Sequence, residues 1–425
     1  MSTRRALVVP ILLLTTVVSL AQEAPQPEAP ALTDQAKALL KQLDKDGDGK
    51  LTTAEIPERH RKTAAAHDAD GDGVFADAEL NALAKAAAEL QPATPSRGTP
   101  AKDPASGLYL VAAHDYHKAT RGEALLVLKE GKVVFQANDN GYDGFTPHEL
   151  ASGTKSFAGI AAACAVEDGL FTWDESVCNT LTEWKDDPRR SRITVRMLLS
   201  LCAGLPPEQD ALQGPQTSDK YAYAVNLKCK REPGTRFEYG PAQYFAFGEF
   251  LKRKLKDKGE NIHSYFMRRV GKPIGMELIW TTDAVGNPAV PHGIFIHVEQ
   301  WAKLGEFVRL GGKHGDKQLL KTEIMDECFK PSACNPSYGL TWWLGSGGAE
   351  AADGQASPEQ EPAPDRATPK VEDWQPRDLA YAAGKGKQRL IVSRSLGLTV
   401  VRFADDTGTF DDRRFLSLLL RGRRE

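Results

Sequence analysis

Four prolines, Pro92, Pro95, Pro100 and Pro104, interrupt the chain between Gln91 and Ala105 (QPATPSRGTPAKDPA). A stretch with so many fixed φ angles and no apolar periodicity cannot contribute to a core, so 91–105 reads as a semi-rigid linker. The segments on its two sides must therefore fold around separate cores. Residues 33–90 are helical in pattern and acidic at two points. From Ser106 onward, strand-like runs (GLYLVAA, EALLVL, KVVFQA) mix with longer helical ones as far as the C-terminus. The expectation for 106–425 is one large α+β domain. Inside it, 346–376 is rich in Ala, Pro and Glu and aperiodic, which reads as a mobile surface insertion and not a third domain. A length of 425 residues agrees with a two-domain layout.

The first 21 residues have the layout of an export signal. Arg4 and Arg5 form a basic start, Ala6 through Leu20 is almost wholly apolar, and Ser19-Leu20-Ala21 supplies small residues for cleavage before polar Gln22-Glu23. The apolar run falls short of the roughly 18 residues that span a bilayer, so secretion or release into a periplasm is expected, with an uncleaved anchor as the alternative. Residues 22–32 (QEAPQPEAPAL) read as a disordered leader. Export permits disulfides. Cys328 and Cys334 lie close enough to close a small loop, Cys202 and Cys229 flank a polar excursion, and Cys164 and Cys178 bracket a helix end. Pairing in sequence order is one of fifteen connectivities, and a buried free thiol is an equal reading for Cys164. Lys and Arg number 54 against 57 Asp and Glu, a net charge of -3 that speaks against a nucleic-acid partner or a polybasic membrane surface.

Within 33–90 a twelve-residue pattern occurs twice. Asp44, Asp46 and Asp48 stand at positions 1, 3 and 5, Gly49 at 6, Lys50 at 7 and Glu55 at 12; Asp68, Asp70, Asp72, Gly73, Val74 and Glu79 repeat the series. The carboxylates are hard oxygen ligands, the glycine makes the sharp turn, the residue at 7 offers its carbonyl, and the final Glu closes the shell in bidentate fashion. These are EF-hand calcium loops by pattern, and two in tandem leave little room for a solvated acidic turn. Leu51 and Phe75 at position 8 are placed to pair through a short strand. Only residues 56–67 separate the loops, enough for one shared helix, so the pair resembles the compact bacterial EF-hand repeats. That spacing favours a structural calcium clip over a sensor that opens a groove. Ala76 at position 9 of the second loop offers no side-chain ligand, which leaves that place to water.

Ser152-Gly153-Thr154-Lys155 opens a run of small and apolar residues at helical spacing. Ser and Lys three apart on a helix share one face, about 5–6 Å between Cβ atoms. The helix N-terminus favours an oxyanion near Ser152, while burial disfavours the ammonium of Lys155 and leaves an amine able to take the hydroxyl proton. An isolated S-x-x-K is weak, but its surroundings resemble the serine β-lactamase and penicillin-binding superfamily, in particular class C lactamases and their esterase relatives. The resemblance covers nearly all of 106–425 and rests on Trp173-Asp174-Glu175-Ser176-Val177, on Arg192 through Ser200 (RITVRMLLS) with Ala203-Gly204-Leu205, on Pro233-Gly234-Thr235-Arg236-Phe237-Glu238-Tyr239, and on Tyr338-Gly339-Leu340 with Trp342 and Trp343. It implies an antiparallel sheet flanked by helices with an all-α subdomain, and an acyl-enzyme chemistry that needs no cofactor. It also implies that Tyr239 is the phenol relaying protons between nucleophile, Lys155 and leaving group.

Two departures stand out. Where the family has an Asn two residues after that tyrosine, a side chain that holds the substrate's amide oxygen, this chain has Pro241. Where the family has Lys/His-Thr-Gly on an inner strand, this chain has Ala382-Ala383-Gly384 followed by Lys385. Gly384 keeps the close backbone approach, and the N–H groups of Lys385 and Ser152 would form the oxyanion hole. The grip on an antibiotic carboxylate is gone; Lys385, Lys387 and Arg389 read as solvated residues at a strand end. The departures fall on substrate recognition and spare acylation. The chain therefore looks like the family's esterases and amide hydrolases, the 6-aminohexanoate-dimer hydrolases among them, whose "S-A-R-D-[LW]-A" segment 294–312 resembles. The expected activity is hydrolysis of a small-molecule ester or amide through Ser152, Lys155 and Tyr239. The alternative is a non-catalytic ligand- and calcium-binding protein on the same scaffold.

Overall fold

The computed structural model describes residues 31–56, 61, 64–89, 101–345, 374–405 and 410–423. The export signal, most of the leader, 91–100 of the linker and 346–373 of the insertion lie outside the described residues. The chain divides into two compact units, 1–90 and 91–425.

In the first unit, helix α1 (Asp34–Leu43) is capped by Thr33, whose hydroxyl accepts from the Ala36 N–H at 3.2 Å. Two-residue strands β1 (Leu51–Thr52) and β2 (Val74–Phe75) pair antiparallel, with Leu51 opposite Phe75 and both side chains buried. Helix α2 (Asp77–Glu89) comes next. The position-8 pairing expected of Leu51 and Phe75 is present.

The second unit is built on a six-stranded antiparallel sheet. Its strands are β3 (Gly122–Lys129), β4 (Lys132–Asn138), β5 (Trp343–Leu344), β6 (Ala380–Gly384), β7 (Gln388–Ser393) and β8 (Leu398–Ala404), in the order β5-β6-β7-β8-β3-β4. Every residue of β6, β7 and β8 is buried, as expected of strands covered on both faces. Helix α3 (Leu110–Ala119) precedes β3, and α4 (Lys155–Glu167) comes after the sheet's first hairpin. Lys155 through Ala165 are all buried, because a helix apolar on every side has no face to give to water. Helices α5 (Ala242–Lys254), α6 (Val298–Arg309) and α7 (Asp412–Arg421) complete the frame. Gly305 lets α6 lie close on the sheet: a Cβ there would come within 2.6 Å of Thr399 and 2.7 Å of Leu390. The expected antiparallel α+β architecture is thus observed.

The cysteines differ from a sequence-order pairing. Cys202 bonds Cys334 across 132 residues of chain, with Cα atoms 6.2 Å apart. Cys164, Cys178, Cys229 and Cys328 are free, and Cys164 and Cys328 are buried. Closeness in sequence misleads here because the segments after α4 return to one another only through tertiary packing. No helix among the described residues is long and apolar enough to cross a membrane.

Candidate active site

Leu150 and Gly153 close a tight turn, the Gly153 N–H donating to the Leu150 carbonyl at 2.9 Å, and Ala151 within it sits in left-handed backbone at φ 46°. An alanine in that region is strained, and such strain is held only where the surroundings impose it. Residues 151–154 form one 3₁₀ turn and α4 begins at Lys155. Ser152 therefore precedes the α-helix, where a helix start was expected, yet the step from Ser152 to Lys155 still spans one turn.

The Lys155 amine donates to Ser152 Oγ at 2.9 Å and to the Pro291 carbonyl at 2.9 Å. It lies 5.0 Å from the centroid of the Tyr239 ring and 5.5 Å from that of Tyr244. Lys155 is only 5% exposed, and among the described residues no carboxylate forms an ion pair with it. Burial pushes its ammonium down from 10.5 to about 7. Desolvation penalises the charged form, and no anion is close enough to offset it. The result is an amine that is substantially neutral at neutral pH and within proton-transfer distance of a hydroxyl.

Tyr239 is half-buried and stacks on Trp343 with ring centroids 5.9 Å apart. Trp343 in turn meets Tyr338 edge-on at 4.8 Å, and the Tyr338 and Tyr244 hydroxyls lie 2.7 Å apart. The fold thus brings Ser152, Lys155 and Tyr239 together inside an aromatic wall. Sequence reasoning missed Tyr244, which carries no motif, and Pro291, whose contribution is a backbone carbonyl that no residue type could announce.

Strand β6 backs the turn that carries Ser152. A Cβ on Gly384 would collide with the Leu150 carbonyl oxygen and sit 3.0 Å from the Gly153 nitrogen, so only glycine permits this approach. Lys385 succeeds it in the β6–β7 turn and is exposed. Ala382 and Ala383 are 2% and 3% exposed and bring no charge. The reading of Lys387 and Arg389 as solvated is corrected. Arg389 is fully buried on β7 and donates to both oxygens of Asp412, its Nε at 2.8 Å from Oδ1, and Lys387 is buried as well. The guanidinium is placed there by the start of α7, which lies 23 residues on.

In the first unit, carboxylate oxygens of Asp44, Asp46 and Glu55 lie within 4.8 Å of one another, as do those of Asp68, Asp70 and Glu79. Asp48 and Asp72 turn back on their own loops, accepting from the Lys50 N–H at 2.8 Å and the Val74 N–H at 2.7 Å. Gly49 and Gly73 have φ of 81° and 80°, the left-handed turn expected at position 6. The Thr52 and Lys45 N–H groups hold the Glu55 carboxyl below its ordinary range, and those of Ala76 and Ala69 do the same for Glu79. Clustered oxygen donors kept ionised are the donor set that a hard divalent cation requires.

The second unit defines the class. The chain belongs to the Beta-lactamase family, whose model matches residues 109–416. Members of this family are serine hydrolases, amidases and esterases among them, that work on small molecules without a catalytic cofactor. Among solved structures, a Bacillus anthracis protein proposed to be a 6-aminohexanoate-dimer hydrolase superposes with a TM-score of 0.55 at 16% identity, over 70% of this chain and 77% of its own. A D-stereospecific amidohydrolase from Streptomyces sp. gives 0.53 at 13% identity, over 73% and 98%. At such identities the likeness is one of fold. Protein flp of Staphylococcus aureus (strain MW2) is 24% identical over 184 residues, 39% of this chain and 36% of that protein. The match thus spans about a third of the length of this curated relative.

Proposed function

We propose that this chain is an exported serine hydrolase that cleaves an ester or amide through an acyl-enzyme on Ser152. The observation that carries the reading is the 2.9 Å contact between Ser152 Oγ and an amine that burial holds near 7. Oγ attacks the substrate carbonyl carbon as its proton passes to Lys155 Nζ, and the carbonyl becomes an oxyanion facing the N–H groups of Ser152 and Lys385. Collapse breaks the bond to the leaving alcohol or amine, which takes the proton by way of Lys155 and Tyr239. Water then attacks the Ser152 ester, giving its proton to the same pair, and the acid departs with Oγ reprotonated. Gly384 supports this role by letting β6 reach the nucleophile turn. Ala382 and Ala383, which bring no grip for a carboxylate, favour uncharged substrates over carboxylate-bearing antibiotics.

The decisive experiment is intact mass after incubation with a fluorophosphonate. The expected result is one covalent adduct, mapped to Ser152 and absent from Ser152→Ala. An unlabelled wild type would favour the second reading, a binding protein on this scaffold, which Pro241 and Ala382-Ala383 motivate. Export rests on residues 1–21 and predicts a mature N-terminus at Gln22.

The N-terminal unit is proposed to hold calcium through Asp44, Asp46, Asp48, the Lys50 carbonyl and Glu55, and through Asp68, Asp70, Asp72, the Val74 carbonyl and Glu79. Bound ion draws the loop oxygens together and so stabilises residues 33–90 without entering the reaction. Chelating the purified full chain is expected to cost that unit about 3–4 kcal/mol, the stabilisation from a ligand at 100 to 1,000 times its Kd. Its melting transition should drop while hydrolysis of a p-nitrophenyl ester stays unchanged. Lost activity with the large domain still folded would contradict a purely structural role.

A further inference from the structure

The Lys155 amine is anchored to the Pro291 carbonyl, and the next residue along that peptide is a histidine. The His292 ring is partly exposed and lies edge-on to Phe245, with centroids 5.8 Å apart. Phe245 stands one helical turn beyond Pro241 on α5, so the two share the helix face that comes after Tyr239. His292 Nδ1 is buried and meets no hydrogen-bond partner among the described residues. A histidine kept for structure is ordinarily paired, because an unmet buried polar atom is costly. Burial, reinforced by the positive charge of Lys155 and Lys220, pushes the imidazole down to about 3, so it is neutral wherever Lys155 is an active base.

The Lys220 amine lies 5.9 Å from the centroid of the same Phe245 ring and is the neighbouring cation. Pro241, Ala382 and Ala383 have no side-chain donor or acceptor. We propose that His292 is a specificity-determining residue that hydrogen-bonds a neutral amide of the substrate close to the scissile bond. With Nδ1 buried, Nε2 is the nitrogen left to a substrate, and in a neutral imidazole it pairs with one end of an amide, the carbonyl or the N–H. The favoured substrates are accordingly N-acyl amino esters or amides. This inference rests on the serine-hydrolase reading and deepens it.

The test compares two esters on the full-length protein: p-nitrophenyl butyrate, which has no amide, and the p-nitrophenyl ester of N-acetylglycine, which has one beside the scissile carbonyl. His292→Phe keeps the ring volume against Phe245 and removes both nitrogens. It is expected to lower kcat/KM on the amide-bearing ester by about tenfold, chiefly through KM, and on the butyrate by less than about threefold. His292→Asn should recover most of the preference. Equal losses on both esters, or none on either, overturn the proposal. Should His292→Phe melt early, the ratio in His292→Ala against His292→Asn decides: Ala must lose the amide preference and Asn retain it, and equal ratios refute the role. Fluorophosphonate labelling of the wild type separates the two failures. A labelled wild type without the ratio change sinks only His292, whereas an unlabelled one sinks the hydrolase reading and His292 with it.

Discussion

Lys155→Met is expected to lower kcat/KM on a p-nitrophenyl ester by about 10²- to 10⁴-fold, the range for losing a positioned general base. The same substitution should raise stability near neutral pH. In the wild type a buried amine titrating at about 7 replaces one that titrates at 10.5 when exposed. Below pH 7 both folded and unfolded chains are protonated at this site, and the full cost of burying the ammonium opposes folding. Between 7 and about 10.5 the unfolded chain binds more protons than the folded one, so the penalty is relieved as pH rises. Activity has the matching sign: kcat/KM should climb through pH 7 to a plateau as the amine loses its proton. A flat profile between pH 6 and 8, with saturating chemistry excluded as the cause, would contradict Lys155 as the base. A Lys155→Met variant that melted lower than wild type at pH 6 would contradict the burial cost.

Gly384→Ala should be the second most damaging change, with a loss of activity of about 100-fold or more, the scale expected when a catalytic group shifts by about 1 Å. The added methyl meets backbone on both counts, the Leu150 carbonyl and the Gly153 nitrogen, and neither can swing aside as a long side chain would. Relief requires moving β6 away from the turn that carries Ser152. The sheet is otherwise intact, with Gly384 paired to Gln388 at the strand's end, so a folded protein with a displaced nucleophile is the expected product. The fluorophosphonate labelling rate, read beside a thermal melt, separates the two effects. Labelling within about threefold of wild type would show that the close approach has no bearing on Ser152.

Several particulars of the site were legible in the residues alone, each for a local reason. Ser152 and Lys155 are three apart, so any helical turn brings them together, 3₁₀ or α. Leu51 and Phe75 occupy equivalent positions in two copies of one loop, so a pairing of the loops aligns them. Tyr239, by contrast, was singled out only by the family resemblance of the Pro233–Tyr239 segment. The features that stayed hidden depend on segments far apart in the chain. The Pro291 carbonyl lies 136 residues from the amine it holds, Tyr244 has no surrounding signature, and Arg389 had an ordinary strand-end appearance until Asp412 came to meet it. Cys202 found Cys334 and not a nearer cysteine for the same reason.

By itself, the sequence determined the division at the proline-rich linker, the two acidic loops and the serine–lysine turn, because each is set by covalent geometry or by contacts within a dozen residues. Burial of the lysine was expected from the apolar helix it opens; tertiary structure alone decided that its neighbours are aromatic rings and a carbonyl, with no ion-paired carboxylate among the described residues. Solvation free energy depends on everything that surrounds a charge, and here those surroundings come from three separate stretches of chain: the Ser152 turn, Tyr239 with Tyr244, and Pro291.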